Sequence, residues 1–162
     1  MNYYIEIKYK LLSNEVLKKA KDYSKNTSDL QTYFDVGKIL VEAQGGEERA
    51  KYGDGLINEY SKKLTFELDK KFVPTLLKNI RKFYLLMKKG PMISDQLTWS
   101  HYVELLKFDD ISRVNYYIGI SIKQNLSVRE LRHKIKNNEY ERLKEATKNK
   151  LKEKEETKVI NI

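Results

Sequence analysis

The stretch Trp99-Ser100-His101 places a hydroxyl beside an imidazole, the pairing from which acyl-transfer nucleophiles are built. Neighbouring residues of a helix point about 100° apart, so Ser100 and His101 do not form a nucleophile and base pair. The expected roles are structural: Trp99 anchors a core, Thr98 or Ser100 caps the helix, and His101 is satisfied by a hydrogen bond. The second histidine, His133, falls on a different predicted helix, and neither HExxH nor clustered carboxylates at ligand spacing accompany it. Glu6-x-Lys8 has the form of the last part of a magnesium nuclease centre, but no aspartate precedes it. The glycines of "QGGEERAKYGDG" lack a following GK[ST] and a preceding strand, so they serve as a helix stop and a turn. With no cysteine in the chain, thiol nucleophiles, zinc thiolates and disulfides are excluded. No metal, cofactor or catalytic constellation is expected.

The other chemistry that residue types suggest is phosphate binding. Val73–Lys89, "VPTLLKNIRKFYLLMKK", carries five basic residues and no acidic one. On a wheel of about 100° per residue, Leu76, Leu77, Ile80, Phe83, Tyr84 and Met87 occupy one arc of about 120°. Lys78, Arg81, Lys82, Lys88 and Lys89 occupy a separate arc of similar width, so the segment predicts a core helix with a basic outer stripe. A second stripe, Arg129, Arg132 and Lys136, lies opposite Val128, Leu131 and Ile135 in "SVRELRHKIK". Charge along the chain agrees with this placement. Residues 1–72 hold 13 Lys/Arg against 12 Asp/Glu, whereas residues 73–162 hold 19 against 11, out of a total net charge of +9. Such asymmetry marks a face suited to phosphate or to an acidic protein.

The elements that position these residues are helical nearly throughout. The first helix is expected over Glu6–Tyr23, with Asn26–Ser28 as a break, and the second over Asp29–Gln44, stopped by Gly45-Gly46. A third follows "KYGDG" and carries Leu56, Ile57, Tyr60, Leu64 and Leu68. Pro74 holds Val73 away from helical angles and opens the fourth helix, Thr75–Lys88, which ends before Gly90-Pro91. A short helix from Trp99, a sixth from "DDISRV", and a last one opened by the capping-box pair Ser127 and Glu130 complete the set. At 162 residues, with 34% charged residues, the chain predicts one compact all-α, multi-helix domain over residues 1–144 and a charged extension over 145–162 that frays. No apolar run approaches a membrane span and the N-terminus has no signal-peptide pattern, so the expected compartment is cytoplasmic.

The ordered segments "YFDVGKILVE", "YGDGLINEYSKKL", "NIRKFYLLM", "LTWSHYVELLK" and "SVRELRHKI...EYERL" resemble the N-terminal domain of the YhcG-like PD-(D/E)xK nuclease family, over about Leu12–Leu143. The resemblance implies a helix-turn-helix-like module. In that family the metal-dependent nuclease follows the "YERL" segment, and only 19 residues follow Leu143 here. The implication is therefore a binding module without catalysis. Where the family typically opens the helix ending in "FY" with a Ser-Arg-Arg-Asn-like turn, this sequence has Val73–Leu76. Base-edge contacts usually originate in that turn, so Lys78, Arg81 and Lys82 are left to hold phosphates. Two partner classes follow: DNA, bound as duplex with weak sequence preference, or a nuclease-type protein bound by a regulatory or anti-defence module of a mobile element. A homodimer is compatible with either.

Overall fold

The computed structural model describes residues 2–20, 25–47, 55–91 and 93–143. They form seven principal helices: α1 (Tyr3–Ala20), α2 (Lys25–Ala43), α3 (Gly55–Leu68), α4 (Pro74–Met87), α5 (Trp99–Leu105), α6 (Ile111–Lys123) and α7 (Val128–Lys136). Residues 139–143 turn helical again, and no strand occurs among the described residues. The fold is all-α, as expected. None of the described helices is long and apolar enough to cross a membrane. The predicted extension over 145–162 lies outside the described residues.

Local chemistry sets most boundaries. Val73 is extended (φ −62°, ψ 152°) and Pro74 occupies the first turn of α4, as the pre-proline restriction requires. Thr98 caps α5, Asp110 caps α6, and Ser127 with Glu130 closes a capping box on α7. One expectation is corrected. Asn26–Ser28 does not interrupt the helices but belongs to the first turn of α2, which starts at Lys25. Residues of this kind weaken a helix interior yet are well tolerated at its start.

Two apolar clusters share α4. Ile7 and Leu11 of α1, Val36, Ile39 and Leu40 of α2, and Ile57 and Leu64 of α3 close on Leu77 and Ile80. Tyr102 and Leu105 of α5, Val114, Tyr117 and Ile118 of α6, and Leu131 and Ile135 of α7 close on Phe83, Leu86 and Met87. The α2–α4 crossing is tight at Gly37, where an added Cβ would sit 2.6 Å from the Ile80 carbonyl oxygen and 2.6 Å from the Tyr84 Cβ. Only glycine permits this approach. Trp99 is half-buried rather than fully enclosed, because it lies at the junction of the clusters. Its ring meets Tyr33 at 4.7 Å and Phe83 at 5.1 Å, edge to face.

Candidate nucleic-acid interface

Helices α3 and α4 have helix-turn-helix connectivity. Residues 69–73 join them, with Asp69 in the left-handed region (φ 50°). The turn is clamped from α3: the Ser61 hydroxyl donates to the Phe72 carbonyl, and Phe72 N–H donates to Thr65 Oγ1 at 3.0 Å. The helix that follows is not presented along its whole basic stripe. Arg81, expected on the solvent side, is only 8% exposed and donates to Gln44 Oε1 at 3.2 Å. The C-terminal end of α2 covers that flank of α4, so the guanidinium reaches sideways to a polar partner while its stem packs. Leu86, outside the predicted apolar arc, is buried against the α5–α7 cluster. Burial from two sides leaves a narrow outer strip. Lys82 and Lys89 are exposed, Lys78 is half-buried, and Lys88 pairs with Glu47 while lying over the Tyr84 ring.

Lys82, Lys88 and Lys89 border one groove of about 420 Å³. Its floor is Leu85, Leu86, Leu106 and Phe108, and Glu47 and Asp109 also line it. Sequence reasoning missed Leu106, Phe108 and Asp109. The available signal was two apolar residues in "LKFDD", just past the end of α5, which pack against the α5–α7 cluster and also face the groove.

The α7 stripe is more open. Arg129, Arg132 and Lys136 are all exposed, and Arg132 pairs with Glu104 of α5 at 2.7 Å, which raises its pKa further. Arg129 borders a separate concavity with Glu130, His133 and Lys134 that shares no residue with the α4 groove. Glu130 is already committed: hydrogen bonds from the Ser127 backbone and side chain hold its carboxyl below the ordinary range. Lys134 is paired with Glu139 at 2.9 Å. Among the described residues, Lys82, Lys89, Arg129 and Lys136 are the candidate-site cations with neither a carboxylate nor another polar partner.

The structural residues are well accounted for. Thr98 N–H donates to His101 Nδ1 at 3.1 Å, so Nε2 carries the proton and donates to the Leu126 carbonyl at 2.8 Å. His101 therefore completes the α5 capping box and ties the start of α5 to the start of α7. Tyr84 packs on Phe34 at 5.1 Å. Among the described residues, no group of three or more His, Asp or Glu side chains could hold a metal ion.

An all-α domain with a clamped helix-turn-helix connection and basic outer strips is the class that this architecture defines. The chain belongs to the DUF1016 N-terminal domain family, whose model matches residues 12–142; this is the N-terminal domain of the YhcG-like proteins. No curated protein and no solved structure matches it.

Proposed function

We propose that this domain is a non-catalytic nucleic-acid-binding module that holds duplex DNA by its phosphates. The observation that carries the reading is the set of four exposed cations, Lys82 with Lys89 and Arg129 with Lys136, each pair seven residues apart and without a carboxylate among the described residues. Two turns of helix separate Arg129 from Lys136 on one face of α7, and Lys89 lies just past the end of α4 beyond Lys82, so each pair can follow a strand of phosphates. The opening of α4 offers no comparable means of reading bases, since Val73 is an apolar cap and Pro74 lacks an N–H. Binding should therefore be electrostatic and tolerant of sequence. Equilibrium titrations of two unrelated duplexes at increasing salt test this. Similar affinities that fall steeply with salt support it; no binding at low salt, or strong preference for one duplex, contradicts it.

A second reading rests on the α4 groove. Its apolar floor of Leu85, Leu86, Leu106 and Phe108 beneath lysines suits an acidic amphipathic segment of a nuclease-type partner. In that case changing Lys82 and Lys89 to Ala would abolish capture of the partner and leave any DNA affinity unchanged.

A further inference from the structure

Helix α1 has two apolar faces. Its inner face, Ile7 and Leu11, is buried beside Asn14, whose amide donates to Asp29 at 2.8 Å. On the opposite side Ile5, Tyr9, Leu12 and Val16 are 44%, 62%, 42% and 61% exposed. They follow one another at steps of four, three and four residues, the a and d spacing of a coiled-coil seam. A solvent-facing helix side is ordinarily polar, and isolated exposed apolar residues need no explanation. Four in register along one line do.

We infer that this seam is a self-association surface, on which α1 of a second copy of the chain packs antiparallel. Three features choose that occupant. Of the described charged side chains that flank the seam, Lys8 is neutralised within the chain by Glu67 at 2.6 Å and Glu15 by Lys70 at 2.8 Å, and Glu6 adds a single carboxylate. A strongly acidic partner would find no free cation among them, whereas the apolar line of an identical copy meets no repulsion. The spacing itself selects a helix with apolar residues at the same period, which α1 supplies. A twofold axis midway between Tyr9 and Leu12 places Ile5 opposite Val16 and Tyr9 opposite Leu12. Each layer then pairs similar volumes, and the helix dipoles oppose. The four side chains expose roughly 400 Å² per chain, so pairing removes roughly 800 Å² before the flanking lysine stems are added. That lies below the usual range for stable complexes and sets a reversible dimer rather than an obligate one. The inference stands apart from DNA binding, because no residue of the seam is one of the proposed phosphate contacts.

Sedimentation equilibrium of the full chain, from micromolar to near-millimolar concentration, tests it. The mass should rise from 19.2 kDa toward twice that value. Leu12→Glu and Val16→Glu should each remain monomeric while keeping the wild-type helical spectrum and melting temperature, since both sites are exposed. The chain has no cysteine, so disulfide mapping has no background. Mixed Ile5→Cys and Val16→Cys chains should cross-link to one another under mild oxidation, and each alone should not. A wild type that stays monomeric throughout, a dimer that survives both folded glutamate variants, or a dimer without the Ile5–Val16 cross-link would overturn the inference.

Discussion

The stripes of α4 and α7 look alike in sequence and end differently. Both alternate basic residues with a buried apolar face, and each has one exposed cation in an ion pair, Lys88 with Glu47 and Arg132 with Glu104, yet Arg81 of α4 is enclosed, whereas Arg129, Arg132 and Lys136 of α7 all remain exposed. The cause is the number of neighbours. Helix α4 contributes to both core clusters and is flanked by the end of α2, while α7 places Leu131 and Ile135 in only one. A basic arc on a central helix is divided between solvent and structure; the same arc on a peripheral helix is left to solvent. Charge on α4 is thus partly a folding feature, and on α7 almost wholly a surface one.

The largest effect should come from the joint between these regions. Trp99→Ala removes the ring that meets Tyr33 and Phe83 and should cost about 3 kcal/mol by denaturant unfolding. A near-neutral result would mean that the two clusters do not depend on it. Gly37→Ala forces α2 and α4 apart and should cost about 1–3 kcal/mol, whereas alanine on an exposed face would be neutral or stabilising. Arg81→Ala should cost about 1–2 kcal/mol through its hydrogen bond and packed stem. By contrast, Arg129→Ala and Lys136→Ala should each stay within about 0.5 kcal/mol of wild type. Equal losses for Arg81 and Arg129 would erase the distinction between the helices.

Acid should sharpen the contrast from the other side. The Glu130 carboxyl sits below its ordinary range, so its contribution is complete above that range and is lost as pH falls through the lowered folded value. Burial pushes Glu139 up, but hydrogen bonds from Lys134 and Tyr116, with the charges of Lys134 and Arg142, outweigh it and leave that carboxyl lowered too. Protection from hydrogen exchange across α7, taken relative to the intrinsic rate at each pH, should therefore fall at acid pH before protection in α4 does, and Glu130→Gln should reduce that dependence. A simultaneous loss of protection in both helices would contradict it.

What was legible in the sequence was local. The extended Val73, the Pro74 start and the Ser127–Glu130 box follow from chemistry within a few residues, and the family was recognisable from ordered motifs spanning most of the chain. What was hidden depends on distant residues. A helical wheel for α4 assumes one packing partner, so it could not foresee Gln44 beside Arg81. His101 was expected to find a partner, but Leu126, 25 residues away, is not indicated by any local pattern. The outer seam of α1 was missed because apolar residues on both sides of a helix blur the very periodicity used to find it.

The central claim is that exposed cations, and not the enclosed Arg81, hold phosphates. Its most direct test is the salt dependence of duplex affinity for wild type beside a variant in which Lys82, Lys89, Arg129 and Lys136 are all changed to Ala. The variant should keep the wild-type melting temperature, bind more weakly, and show a shallower slope of log affinity against log salt, by roughly 0.9 for each phosphate contact removed. A folded variant with unchanged affinity and slope would contradict the claim.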